Sequence, residues 1–192
     1  MCFSTPSQIL FFMSKLYYRK YRGGSCRLQS WNYAWSAAYF VTINTKHHRH
    51  FFGFIEEGEM CLSALGQIVL EEWQRTLELR PDMKLELDAF VIMPNHIHFI
   101  IIIGGNEFNE VDFDASHTRS FPYSGNRFGP QRKNLASIVR GFKASITIRA
   151  REIDPEFEWQ RKYYDRIIRD HRGLELVKRY INNNVQQWKQ AS

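Results

Sequence analysis

Residues 85–103, LELDAFVIMPNHIHFIIII, contain two candidate strands separated by a turn. The first, Leu85–Met93, leads into the turn dipeptide Pro94-Asn95. The second, His96–Ile103, is almost wholly apolar, which is typical of a central strand covered on both faces. The segment therefore predicts the centre of a buried sheet.

The rest of the chain supplies partners for this centre. A run rich in β-branched and aromatic residues predicts a first strand, and two short strands joined by Glu-Glu-Gly predict a hairpin. Helical periodicity predicts three helices, and Ser63 and Asn134 are the expected caps of the first two. The predicted order is β, hairpin, α, β, β, α, β, α. Its βαββαβ run indicates an α+β, ferredoxin-like antiparallel sheet with helices packed on one face, followed by a C-terminal helix. The additional predicted ranges are strands 38–45, 51–55, 59–62 and 158–169, and helices 63–79, 134–149 and 173–188.

Length and composition indicate a globular protein with a basic excess. The 192 residues suffice for one domain with a core, and 26 Lys and Arg against 20 acids give a net charge of +6. This charge favours an anionic partner without requiring one. The three scattered cysteines (Cys2, Cys26 and Cys61) indicate reduced thiols in the cytoplasm, and no apolar run approaches the roughly 20 residues of a membrane helix.

The basic residues near the N-terminus alternate with tyrosines. Cations interleaved with aromatic rings suit single-stranded nucleic acid, although a solvated arm would have the same composition. We expect residues 1–20 to form a flexible arm, and the long polar stretch 106–133 to form a functional loop or insertion. The cations in question are Lys15, Arg19, Lys20, Arg22 and Arg27, and the tyrosines are Tyr17, Tyr18 and Tyr21.

Two pairs of residues carry candidate chemistry. His96 and His98 alternate on a strand, so they share a face and could chelate a metal, although two hydrogen-bonded histidines at a sheet end explain the bare pattern better. Tyr180 and Asn184 are neighbours on one helix face, at the flank of its apolar stripe. Taken alone, that tyrosine is an ordinary amphipathic residue. A nearby cluster, His47, His48 and His50, is interpreted as a solvated loop.

Several separate segments together resemble the REP-associated tyrosine transposases, which are single-tyrosine members of the HUH superfamily. The segments, in order along the chain, are AYFVTINT, FGFIEEGEM, FVIMPNHIHFIIII, LASIVRGFKASIT, WQRKYYDRIIRD and YIN. The resemblance runs from about Tyr21 to Trp188, and it implies that residues 21–192 form one transposase domain with a ferredoxin-like fold.

The resemblance implies a residue for each catalytic role. His96 and His98 would bind Mg²⁺ or Mn²⁺, Asn184 would complete the metal set, and Tyr180 would be the nucleophile. The enzyme would nick and rejoin single-stranded or hairpin DNA through a 5′-phosphotyrosine, as a monomer or a homodimer. Family members often have Pro after the asparagine; here Val185 stands there, so the last helix is expected to continue.

The DNA-binding residues are predicted from charge alone. The first candidates are Arg19, Lys20 and Arg22 in the arm and Arg140 and Lys143 on the second helix, followed by Lys162, Arg166 and Arg169.

Two other functions remain open at this point. A non-catalytic, ferredoxin-like nucleic-acid-binding module would not require the histidines and the tyrosine together. A small-molecule metallohydrolase would need a carboxylate base, for which Glu86 or Asp88 is available. If Tyr180 is not the nucleophile, Tyr163 or Tyr164 is the next choice.

Overall fold

The computed structural model describes residues 31–105 and 132–188. All the helices and strands of the described residues lie within the compact unit Asn32–Ser192. The predicted arm and most of the predicted loop at 106–133 lie outside the described residues. Within these ranges, no helix has both the length and the apolar character needed to cross a membrane.

This compact unit contains a four-stranded antiparallel sheet and a separate hairpin. The elements are β1 (Ala37–Asn44), β2 (Gly53–Glu56), β3 (Glu59–Leu62), α1 (Ala64–Arg75), β4 (Leu85–Met93), β5 (His96–Ile103), α2 (Leu135–Arg151), β6 (Tyr164–Ile168) and α3 (His171–Asn182). The sheet has the order β4-β5-β1-β6, which is the ferredoxin-like arrangement that the sequence predicts, and β2 pairs with β3 in the hairpin.

Side-chain caps begin the helices where the sequence predicts. The Ser63 hydroxyl accepts a hydrogen bond from the Gly66 amide at 3.1 Å, and Asn134 forms a capping box with Ser137. Both predicted caps are therefore confirmed.

Two helices end earlier than the sequence predicts, and one strand is shorter than predicted. α1 ends at Arg75, four residues before the predicted end, and the strand predicted over 158–169 is regular only over Tyr164–Ile168. α3 ends at Asn182, so the expectation that Val185 continues the helix is also wrong. Three consecutive asparagines follow Ile181, and their side chains compete with the helical hydrogen bonds of the backbone.

The helices cover opposite faces of the sheet. On one face Phe99 of β5 packs against Trp73 of α1 and Phe142 of α2, with ring centroids 4.8 and 6.1 Å apart. On the other face Ile181 of α3 packs against Phe40 and Ile100. The prediction of helices on one face therefore holds for α1 and α2, while α3 covers the face that also carries His96 and His98.

Candidate active site

The two histidines converge at the N-terminal end of β5. Because side chains alternate along a strand, His96 and His98 point to the α3 side while Ile97 is buried on the other side. Their Nε2 atoms lie 3.0 Å apart, and the His98 side chain is buried. The structure thus brings the predicted pair together with both ring nitrogens aimed at one point.

A neighbouring amide determines which nitrogen of His96 carries the proton. The Asn95 Nδ2 group donates to the His48 carbonyl at 3.2 Å, which turns Oδ1 toward His96. That Oδ1 atom lies 2.6 Å from His96 Nδ1 and can only accept, so Nδ1–H is the donor. The Nε2 atom of His96 is therefore left with an unshared electron pair, as a metal ligand requires.

His98 is held by the neighbouring strand. Thr42 on β1 is the cross-strand partner of His98, and its Oγ1 lies 2.8 Å from His98 Nδ1. A hydroxyl can donate or accept, so either tautomer of His98 satisfies this contact. When Nδ1–H donates to Thr42, both Nε2 electron pairs face each other, and a cation between them would relieve their repulsion.

Burial keeps both imidazoles neutral. Desolvation, with a smaller repulsion from His48, lowers the pKa of His96 from 6.5 to about 4. Desolvation and the neighbouring His96 lower the pKa of His98 well below its ordinary value. Both side chains are therefore available as ligands at neutral pH.

The phenol of Tyr180 reaches the same point. Its hydroxyl oxygen lies 3.3 Å from His98 Nε2, because Ile181 and the apolar stripe of α3 pack on this face of the sheet. Burial raises the pKa of Tyr180, and a hydrogen bond from the Asn184 side chain acts in the opposite direction. Asn184 thus contacts the predicted nucleophile, one turn beyond it in the chain.

Aromatic rings enclose the three groups. Phe40 stacks on His98 at 5.4 Å and meets Tyr180 edge to face at 6.0 Å, so it fixes the orientation of both rings. The centroid of the Trp188 ring lies 5.9 Å from that of His96 and 6.0 Å from that of His50. These rings therefore cover part of the surface of the histidine pair.

The donor set fits a divalent cation that keeps open positions. Ligands at right angles around an ion, each about 2.1 Å from it, lie about 3.0 Å apart, which matches the separation of the Nε2 atoms. No group of three or more His, Cys, Asp and Glu side chains that could hold a metal occurs within the part of the chain that the structure describes. The protein would therefore supply two imidazoles and an amide, leaving positions for a substrate.

The remaining predicted residues lie away from this cluster or outside the description. Arg140 and Lys143 are on α2, which packs against the opposite face of the sheet, and the Lys143 ammonium donates to the Gln160 carbonyl at 2.8 Å. Arg19, Lys20 and Arg22 lie outside the described residues. Of the two that the structure describes, neither Arg140 nor Lys143 therefore lies beside the histidines.

The two carboxylates considered as bases are also elsewhere. The Asp88 carboxylate forms an ion pair with Lys178 at 2.8 Å, which ties α3 to β4. Glu86 on β4 is the cross-strand partner of Ile102 on β5. Ile102 lies four residues, or about 13 Å, along β5 from His98. This placement disfavours the metallohydrolase alternative.

Sequence reasoning missed the residues that orient the site. The sequence predicts Asn95 only as part of a turn, and it predicts Thr42 and Trp188 only as positions within a strand and a helix. Asn95 immediately before His96 is a signal that could have been used, since a metal-binding imidazole usually needs a partner on its other nitrogen. The role of Thr42 depends on strand register, which the sequence does not display.

Comparisons with known proteins place the chain among relatives. An uncharacterized protein of Haemophilus influenzae is 35% identical over 178 residues, which cover 89% of this chain and 95% of the relative. No family model matches the chain. A solved REP-associated tyrosine transposase bound to a REP hairpin superposes with a TM-score of 0.54 at 15% identity, covering 86% of this chain and 76% of that one. The likeness to the solved transposase shows a shared fold.

Proposed function

This chain belongs to the family of the Haemophilus influenzae protein and has the fold of a REP-associated tyrosine transposase, and we propose that it nicks and rejoins single-stranded DNA. Tyr180 is the proposed nucleophile, and His96 and His98, with Asn184, are the proposed ligands of Mg²⁺ or Mn²⁺.

One observation carries this proposal: the Tyr180 hydroxyl lies 3.3 Å from His98 Nε2, which lies 3.0 Å from His96 Nε2. A phenol, two neutral imidazoles and an amide in one partly enclosed place are what a phosphoryl transfer to tyrosine requires. A protein that only binds nucleic acid has no need for this combination. The fold likeness alone does not distinguish the two functions.

The reaction exchanges one phosphodiester for another. Tyr180 gives up its phenol proton and bonds to phosphorus through Oη, the bond from phosphorus to the 3′ oxygen breaks, and that oxygen takes up a proton. The products are a 5′-phosphotyrosine and a free 3′-hydroxyl, so the bond energy is retained for rejoining. Asn184 assists because its hydrogen bond favours the phenolate against the effect of burial.

The other residues prepare the site for the ion and the phosphate. Asn95 and Thr42 hold the imidazoles in position, and Phe40 limits the rotation of both His98 and Tyr180. When bound, the divalent ion supplies positive charge that polarises the scissile phosphate.

We propose single-stranded or hairpin DNA as the substrate. The solved transposase that shares this fold is bound to a REP hairpin. A net charge of +6 favours a polyanionic partner.

The covalent intermediate provides a direct test. The protein is incubated with Mn²⁺ and a 3′-end-labelled single-stranded hairpin DNA, then denatured, and protein-linked label is counted. We expect an adduct that Tyr180→Phe abolishes, because phenylalanine lacks the attacking oxygen. We expect His96→Ala to reduce it at least tenfold through loss of a metal ligand.

A matched tyrosine variant serves as the control. Tyr164→Phe removes a phenol from the same face of the sheet and should leave the adduct intact. Adduct that survives Tyr180→Phe and disappears in Tyr164→Phe would move the nucleophile to β6. DNA binding without any adduct in the unaltered protein would instead support the non-catalytic binding module.

A further inference from the structure

β6 forms one edge of the sheet and presents side chains on the face that carries His96 and His98. In the antiparallel register Tyr164 is opposite Thr42, which is itself opposite His98 on the next strand. Arg166 is opposite Phe40 in the adjacent row. Because cross-strand partners point to the same side of a sheet, Tyr164 and Arg166 lie on the face that carries the histidines.

The Tyr164 ring is held in place yet accessible. Phe40 contacts it edge to face at 6.4 Å, while 39% of the residue remains exposed at the sheet edge. Arg166, two residues further along the strand, is also exposed. An immobilised ring beside an exposed guanidinium is the combination that binds an unpaired base together with its phosphate.

The distance from the catalytic groups suits the nucleotide next to the reacting one. Neighbouring strands are about 4.8 Å apart, so the backbone of Tyr164 lies two strand spacings, or about 10 Å, from that of His98. A strand whose phosphate lies at the histidines would pass over β6 on leaving the site.

We propose that Tyr164 and Arg166 form a binding platform for single-stranded DNA, in which Tyr164 stacks on the base beside the scissile phosphate and Arg166 contacts a backbone phosphate. This inference rests on the proposed function, since it takes the position of the scissile phosphate from it. Tyr164 is assigned a binding role because its cross-strand partner is Thr42 and its ring contacts Phe40, whereas the Tyr180 hydroxyl contacts the histidine pair.

Binding is measured apart from cutting, by fluorescence anisotropy in EDTA with a labelled hairpin that has unpaired flanks. We expect Tyr164→Ala to weaken binding about tenfold, and Tyr164→Phe to change it less than twofold because the stacking face remains. Arg166→Gln should weaken binding and lower the slope of log affinity against log salt by about 1. Arg75→Gln, on α1 at the opposite face, is the charge-matched control and should leave that slope unchanged.

Abasic substitutions locate the stacked base. Removing each unpaired base in turn should identify one position at which the unaltered protein loses about tenfold in affinity. The affinity of Tyr164→Ala should not fall further with the same abasic DNA, because the ring that stacks on that base has already been removed. Urea unfolding midpoints of all variants establish that they remain folded.

The outcomes separate this inference from the proposed function. Equal affinity of Tyr164→Ala and the unaltered protein, or equal abasic losses in both, overturns the platform even if the covalent adduct forms. Absence of any single-strand binding also overturns it. Tight binding that depends on Tyr164, with no covalent adduct, upholds the stacking role of Tyr164 and contradicts the nicking function.

Discussion

The two faces of the four-stranded sheet are built from the same strands and differ in what they bury. On the α1 and α2 side, β5 contributes Ile97, Phe99, Ile101 and Ile103, all of them almost fully buried. On the α3 side the same strand contributes His96 and His98, followed by Ile100 and Ile102.

This difference separates stability from chemistry within one strand. The first face gains free energy from apolar area removed from water and from ring packing. The second face gives up part of that gain, since it desolvates two imidazoles and a phenol and offsets this cost with hydrogen bonds to Thr42 and Asn95. We therefore expect substitutions on the first face to act mainly on folding, and those on the second mainly on binding and reaction.

The largest expected effect on stability is on the apolar face. Phe99→Ala should lower the free energy of unfolding by about 3–5 kcal/mol, because it empties a site enclosed by Trp73 and Phe142. Urea denaturation followed by tryptophan fluorescence measures this loss. Phe99→Leu, which refills part of the volume, should cost clearly less. A loss below 1 kcal/mol for the alanine variant would contradict the assignment of this face as the main core.

The sequence predicted this apolar face well. Strand alternation and helix periodicity are local properties, and they were sufficient to place β4 and β5 at their observed bounds and Ser63 and Asn134 at the helix caps. The pattern-based prediction fails where competing local interactions decide, as at the end of α3, where asparagine side chains interrupt a regular amphipathic stripe.

The second expected effect is a dependence of stability on pH that comes from the face that carries His96 and His98. His96 has a pKa of about 4 in the folded protein against 6.5 ordinarily, so the unfolded chain binds the additional proton between these values. Stability contributed by neutral His96 is complete above pH 6.5 and is lost progressively as the pH falls to about 4. The free energy of unfolding should fall by roughly 3 kcal/mol over this pH interval because of His96.

A variant isolates this contribution from carboxylates that titrate nearby. The free energy of unfolding is measured in EDTA from pH 7 to pH 4 for the unaltered protein and for His96→Gln. The variant should lose less stability over this interval, since glutamine does not titrate. Parallel pH profiles would show that His96 is as easily protonated in the folded state as in the unfolded chain, and would contradict the burial described here.

The face that carries the histidines was predictable only in part. Residue spacing placed His96 and His98 on one side of a strand, and the family resemblance pointed to Tyr180 and Asn184. Thr42 lies 56 residues before its partner His98, and which pairs of residues meet depends on strand register and packing, which no local pattern reports. The same limit applies to Tyr164, whose position relative to the histidines follows from two successive registers.

The smallest expected effect on stability tests how the second face is oriented. Thr42→Val keeps the shape of the side chain and removes the only group on β1 that contacts His98 Nδ1 among the contacts described above. The free energy of unfolding should fall by about 1 kcal/mol, the usual net value of one hydrogen bond. Mn²⁺ affinity, measured by electron paramagnetic resonance, should fall about 10–100-fold because the imidazole loses the partner that orients it. Thr42→Ser, which retains the hydroxyl, should keep most of the affinity. If valine and serine bind Mn²⁺ equally well, Thr42 does not orient the histidine, and the division between a folding face and a chemical face does not extend to β1.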